Sequence, residues 1–258
     1  MLLEGKAGVV TGSAMGIGRA VAIALAEEGA DVACLDIDGP ANAATAAAIR
    51  ALGRRALALD CDVADRFAVR RAFAQIADAF GRLDVLVNNA AIYIDTSLLN
   101  GTYDSQTGWY ERSMDICAMG SYYCAMAATP LLRASGGGNI INMITEHIKP
   151  GHMYSGPGAT GYDHAKWVQW RQTESWAIEL QPVGIRVNGL CFGATDTPML
   201  RAVSVAAAER GMRPEDVALA VLNVIRQGPD GPVGRTWLFG ATGTSNGRAE
   251  AEALLHAQ

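Results

Sequence analysis

Tyr162 and Lys166 stand four residues apart in the run Tyr162-Asp163-His164-Ala165-Lys166, 150 residues after Gly12. Residues at i and i+4 share one face of a helix, one turn apart. A phenol and an ammonium are then side by side, and the cation favours the phenolate. An unperturbed tyrosine titrates near pH ~10, so bringing it to neutrality takes about three units, or about 4 kcal/mol. A neighbouring charge in a partly desolvated site supplies shifts of that size. Such a tyrosine exchanges a proton with an alcohol or a carbonyl. Chance Tyr-x-x-x-Lys pairs are common. This one gains weight from the glycine-rich stretch Thr11–Gly18 far upstream.

Gly12, Gly16 and Gly18 fall between an apolar strand-like run and an alanine-rich helix-like stretch. Glycines there permit a tight turn and close approach of backbone to a pyrophosphate resting on the helix N-terminus. The spacing is Gly-x-x-x-Gly-x-Gly, and an ordinary glycine turn is the plain alternative. Asp36 follows at the end of the second strand-like run, eighteen residues after Gly18. A carboxylate there accepts from the ribose hydroxyls of NAD. The 2′-phosphate of NADP would meet a like charge, at a cost on the order of 4 kcal/mol before relaxation. Met15 and Ile37 bring no cation to offset it, and Arg19 belongs to the following helix. NAD is therefore expected over NADP. A strand-end Asp that only caps a turn is the alternative.

The elements that must position these residues alternate along the chain. Strand-like runs are Gly8–Thr11, Val32–Asp36, Ala56–Asp60, Val85–Asn88, Asn139–Ile144, Ile185–Leu190 and Thr236–Phe239. Helix-like stretches are Ile17–Glu28, Ala41–Leu52, Arg66–Phe80, Met114–Arg133, Tyr162–Leu180 and Pro214–Gln227. Alternation of this kind predicts an α/β fold, a doubly wound parallel sheet of about seven strands flanked by helices. The strands are continuous apolar runs, as expected when both sheet faces are covered. No repeat or linker interrupts the series, so residues 1–258 read as one domain.

Bulk properties remove other classes. The formal net charge is −5, with no basic stripe, so nucleic acid is not an expected partner. No apolar run approaches the ~20 residues of a membrane span. The N-terminus runs directly into a strand, without a signal-peptide pattern. A cytoplasmic location follows as the expectation. The five cysteines, Cys34, Cys61, Cys117, Cys124 and Cys191, form no Cys-x-x-Cys pair and read as free buried thiols. His147, His152 and His164 lack metal-ligand spacing, so no metal is expected.

With these residues in view, the chain resembles the short-chain dehydrogenase/reductase family over about residues 5–240. The resemblance rests on Thr11–Gly18, Asp62-Val63, Asn88-Asn89-Ala90-Ala91, Thr145, Tyr162 with Lys166, Ile185–Asn188 and Phe192–Thr197. It implies a Rossmann-type fold and cofactor contacts from Gly12, Ser13, Met15, Gly16, Ile17, Gly18, Asp36 and Ile37. Asp62 and Val63 would meet the adenine, and Asn89, Ala90 and Ala91 would lie beside the cofactor. Gly193, Thr195 and Thr197 would hold the nicotinamide end. Tyr162 would be the general acid/base, and Lys166 would lower its pKa and bind the ribose.

Several positions depart from the family pattern. Thr145 stands where a catalytic serine is usual, and its hydroxyl can still donate to a substrate oxygen. Cys117 aligns with a catalytic asparagine, so the usual proton relay is put in doubt. Seventeen residues separate Thr145 from Tyr162, which places an insertion within Glu146–Pro157. Ala91 replaces a glycine, and Phe192 a proline.

The expected activity is interconversion of a secondary alcohol and a ketone. Ile94, Glu146, His147, Met153, Tyr154, Met199 and Leu200 would line a mostly apolar pocket under a lid at 198–211, suited to a cyclic or aromatic substrate. The alternative is a catalytically weak NAD-binding protein with a regulatory role. Large apolar side chains outside one stripe predict a homo-oligomer, a tetramer over a dimer, with Trp170 near a subunit contact. They are Tyr122, Tyr123 and Met126 on one helix, and Trp167, Trp170 and Trp176 on another.

Overall fold

Continuous apolar runs become buried strands, and the alanine-rich stretches between them become the helices that cover the sheet. The computed structural model describes residues 1–148, 158–239 and 252. Its seven strands are β1 (Ala7–Thr11), β2 (Asp31–Asp36), β3 (Ala56–Asp60), β4 (Val85–Asn88), β5 (Gly138–Thr145), β6 (Ile185–Phe192) and β7 (Thr236–Phe239). All pair in parallel, in the order β3-β2-β1-β4-β5-β6-β7. The central strands are buried on both faces: Val9, Val10, Leu86, Val87, Ile140 and Ile141 are fully enclosed. One core lies under α1 (Gly16–Glu27) and α9 (Pro214–Arg226). The other lies under α3 (Arg66–Phe80), α5 (Gly120–Ala134) and α6 (Thr160–Leu180).

The order of the sheet reverses between β1 and β4, and a crevice opens at the carboxyl ends of the strands there, as in doubly wound sheets generally. Buried polar groups fix this point. Thr11 Oγ1 accepts from the amides of Asn89 and Ala90, both at 3.0 Å. Asn89 Nδ2 donates to the carbonyls of Thr11 and Gly12 at 2.9 and 3.1 Å. From α2 (Gly39–Ala51), Asn42 donates to the carbonyls of Cys34 and Leu59, and Thr45 donates to that of Ser13. The glycine turn is thus held from both sides.

The helical part between β4 and β5 is longer than the expected Met114–Arg133. It starts with α4 (Tyr103–Met114), passes through a π-helical turn at Asp115–Met119 and continues as α5. The segment of α4 carries a central Gly108 and buries only Ser113, so it has no apolar stripe to announce it. Its one signal is local: Thr102 and Ser105 form a capping box. Beyond β6, the stretch expected as a lid folds into two short helices, α7 (Pro198–Val203) and α8 (Val205–Glu209).

Candidate active site

The carboxyl ends of the strands enclose a cavity of about 670 Å3. Gly12, Asp36, Asp62, Asn89, Thr145, Tyr162, Lys166, Gly193 and Thr197 all reach its wall. The expected cofactor and proton-transfer residues, scattered along the sequence, therefore meet in one place.

At one end is the glycine turn. Gly12 and Gly16 have φ of +65° and +54°, a region that glycine enters freely. A Cβ on Gly12 would meet Ala90 Cα at 2.9 Å, and one on Gly18 would meet the Gly12 carbonyl oxygen at 2.0 Å. No side-chain bond caps the N-terminus of α1, whose N-cap residue is Met15. The cradle thus presents unscreened helix amides to the cavity, the arrangement that suits a pyrophosphate. Asp36 stands beside it, and Ile37, Val63, Ala90 and Ala91 complete this part of the wall. A dinucleotide fits what these residues offer: amide donors for phosphates, a carboxylate for ribose hydroxyls and apolar walls for a base.

Some expected contacts lie elsewhere. The Ser13 hydroxyl turns inward to the Leu35 carbonyl and Asn42, and neither Ser13 nor Gly18 reaches the cavity wall. Gly18 serves the packing of α1 on the turn. Ile94 is also outside the wall, where Ile92 and Tyr93 take the place expected for it. Met153 and Tyr154 fall outside the described residues. Met199 and Leu200 of α7 do line the cavity, as does Thr195, and Thr197 caps α7 by accepting from the Leu200 amide.

The reacting end is built by β5 and α6. Thr145 ends β5, and its hydroxyl bonds the Tyr162 phenol. Lys166 lies one turn further along α6, its Nζ 5.7 Å from the centre of the Tyr162 ring. The ammonium is almost wholly buried, and it donates to the Met143 carbonyl at 2.6 Å and to Gln169 Oε1 at 2.9 Å. Burial pushes the Tyr162 pKa up, with Cys117 adding to the rise, and only the Thr145 bond works against it. Burial likewise pushes Lys166 down. The protein alone thus keeps Tyr162 as the phenol, the form that donates a proton.

Cys117 sits in the π-helical turn, fully buried and behind the cavity wall. Burial pushes its thiol up, so it holds its proton. The thiol that does line the cavity, Cys61, is pushed up by burial to about 11. Neither is a thiolate nucleophile. Among the described residues no group of three His, Cys, Asp or Glu side chains is placed to hold a metal ion.

Three residues at the site were not legible from spacing. Tyr93 packs edge-on against Tyr162, ring centres 5.3 Å apart. Arg112, from the unannounced α4, reaches the cavity and pairs with Asp62 at 2.7 Å. Gln169 holds Lys166. Glu146 and His147 do line the cavity, and His147 Nδ1 lies 2.9 Å from Asp163 Oδ1.

A parallel seven-stranded sheet with a glycine cradle at its switch point and a Tyr/Lys pair on the opposite wall defines a nucleotide-dependent oxidoreductase of the Rossmann type. Comparison with known proteins agrees. Residues 12–228 match the family model described as enoyl-(acyl carrier protein) reductase. The chain is 35% identical over 227 residues to a sorbitol dehydrogenase of Cereibacter sphaeroides, covering 86% of this chain and 84% of that protein. It is 34% identical over 237 residues to a galactitol 2-dehydrogenase of Agrobacterium fabrum, covering 91% and 86%. A short-chain dehydrogenase from Mycobacterium paratuberculosis, crystallised bound to NAD, superimposes with a TM-score of 0.81 at 26% identity, over 93% of this chain and 98% of that one. The chain belongs to the short-chain dehydrogenase/reductase family. Members of that family generally use NAD or NADP. No described helix is long and apolar enough to cross a membrane.

Proposed function

We propose that this protein is an NAD-dependent dehydrogenase/ketoreductase that interconverts a secondary alcohol and a ketone. The observation that carries the reading is the meeting of Tyr162, Thr145 and Lys166 on the wall of the same cavity as the glycine cradle and Asp36. A bound nicotinamide supplies or accepts the hydride. The protein's own groups handle the oxygen and its proton. Tyr162 gives a proton to the carbonyl oxygen in reduction and takes it back in oxidation. Thr145 donates to the same oxygen and orients it. Lys166, charged, favours the phenolate during oxidation and offers an N–H to the ribose. Asp36 accepts from the ribose hydroxyls and disfavours a 2′-phosphate, hence NAD over NADP.

The substrate we infer is a cyclic or aromatic secondary alcohol. Ile92, Tyr93, Phe192, Met199 and Leu200 give the cavity a largely apolar wall, with Tyr93 against Tyr162. Residues 1–258 act as one domain in this reading, with 198–211 as the substrate lid, in a cytoplasmic homotetramer. The relatives named for sorbitol and galactitol oxidation support the reaction class. A panel of secondary alcohols with NAD, and of ketones with NADH, followed by nicotinamide absorbance, tests the activity. Tyr162→Phe keeps the ring and removes the proton, so turnover falls roughly a hundredfold or more while the dinucleotide still binds. Dinucleotide binding without turnover of any alcohol or ketone would favour the non-catalytic alternative.

A further inference from the structure

We propose that Gln169 is a positioning residue for Lys166, its amide oxygen keeping the buried ammonium charged and in place on the cavity wall. The inference rests on the acid/base reading of Tyr162 and Lys166 given above. Lys166 is 2% exposed. Among the described residues its hydrogen-bond acceptors are two neutral oxygens, the Met143 carbonyl at 2.6 Å and Gln169 Oε1 at 2.9 Å. An ammonium has three N–H donors, so these two contacts leave one for whatever enters the cavity. A buried amine without a carboxylate stays charged only if dipoles replace the water it has lost. Gln169 supplies one of two such dipoles, and burial is already working to neutralise the lysine.

The orientation of the amide follows from its surroundings. Gln169 is 1% exposed. Its Nε2 faces two acceptors, the Asn88 carbonyl at 3.4 Å and Ser121 Oγ at 3.3 Å. Ser121 Oγ in turn donates to the Cys117 carbonyl. With its NH2 group directed to these oxygens, Oε1 must face the ammonium. A flipped amide would set N–H against N–H. A second glutamine one turn on, Gln172, donates to the Ala118 carbonyl at 3.0 Å. Amides of α6 therefore tie Lys166 to the π-helical turn at the level of Cys117, whose own side chain, a thiol, has no amide to give. Gln169 stands three residues after Lys166, so both lie on one helix face.

Gln169→Met keeps the side-chain length and removes both polar atoms. Without the acceptor, Lys166 releases its proton more readily, and a neutral lysine no longer favours the Tyr162 phenolate. For alcohol oxidation, the midpoint of kcat against pH is expected to move up by about one unit, with a roughly tenfold loss near neutrality. KM for the alcohol should stay within about twofold, while NADH binding, read by fluorescence titration, should weaken by about fivefold. Gln169→Glu keeps an oxygen on the ammonium and loses only the donors to Asn88 and Ser121. It should hold NADH within about twofold of the parent. A purely structural glutamine would make Glu at least as damaging as Met. An unshifted pH profile in Gln169→Met, or NADH binding as weak in Gln169→Glu as in Gln169→Met, overturns the inference. Tyr162→Phe, measured alongside, separates the two readings. If it retains full turnover, the acid/base assignment fails by itself. If it is inactive while Gln169→Met keeps the parental profile, only the role of Gln169 is lost.

Discussion

Asp36 Oδ2 accepts the amide of Ala14 at 2.9 Å, so the carboxylate that ends β2 is pinned to the glycine turn. Oδ1 accepts from the Asp38 amide at 3.0 Å. A carboxylate offers about four acceptor sites, so two are left for the cavity. Arg19, the one nearby cation in sequence, is exposed and outside the cavity wall. The expected outcome is a preference for NAD of roughly tenfold or more in kcat/KM, a discounted form of the like-charge repulsion. Asp36→Ala should weaken NAD and narrow the gap, since both the ribose acceptor and the repulsion go. Steady-state kinetics with the two dinucleotides decide it, and equal use of NADP by the parent would refute the assignment.

His147 lines the same cavity. Asp163 holds its Nδ1, and its ring centre is 6.0 Å from that of Tyr162 and 6.4 Å from that of Tyr93. On the proposed reading, a ring fixed in this way contributes shape and a polar edge beside Tyr162, where the substrate oxygen would sit. His147→Phe keeps the shape and discards the nitrogens. On the proposed reading it should lower kcat/KM by roughly tenfold, mostly through kcat, as expected when a polar contact forms in the transition state. Asp163→Asn should act in the same direction and more weakly. Unchanged kcat/KM in His147→Phe would show that the imidazole nitrogens take no part.

The sheet was legible because strands covered on both faces leave uninterrupted apolar runs, and all seven were placed within a few residues. The cofactor cradle was legible because Gly12 and Gly16 need positive φ. The rest of the site depends on distances across the fold. Arg112 reaches Asp62, which follows β3 fifty residues earlier in the chain, and α4 has no amphipathic stripe to announce it. Gln169 lies three residues from Lys166 in sequence, yet the proposed role requires Asn88 and Ser121 from two other elements. Spacing places Lys166 one turn from Tyr162, whereas the burial that pushes the phenol up comes from packing across the fold.

Asp84 links fold stability to pH. It is 6% exposed, accepts from the Ala7 amide at 2.9 Å, and is gripped by Arg82 at 2.7 and 2.8 Å and by Lys6 at 3.1 Å. Burial works to raise its carboxyl, but Arg82, the Ala7 amide and Lys6 outweigh burial and hold it below the usual range. A folded pKa below the unfolded one gives stability that is present above the unfolded value and lost as pH falls through the folded value. Denaturant midpoints should therefore drop below about pH 4. Asp84→Asn should cost about 1–3 kcal/mol near neutrality, because a buried amide cannot satisfy three donors. It should also flatten the acid limb. An acid limb identical in parent and variant would remove Asp84 as its source.

The faces of α5 and α6 bear on assembly. Tyr122 and Met126 are exposed on α5, and Trp167 and Ile178 on α6, at 47% and 75% for the latter two. Trp167 stacks on Trp170, ring centres 4.8 Å apart, so the pair forms one flat apolar surface. Tyr123 and Trp176 are partly covered within the chain and contribute less. A helix apolar on two faces is stable in water only if both are covered, and the sheet covers one. A second copy of the same helices is the natural cover for the other, since closed two-fold pairing joins a patch to itself. Light scattering should give a tetramer at micromolar concentration. Trp167→Glu, which places a charge in the middle of the stacked pair, should shift it to smaller species while leaving the cavity intact. A parent protein that runs as a monomer of 27.1 kDa would reject this assembly.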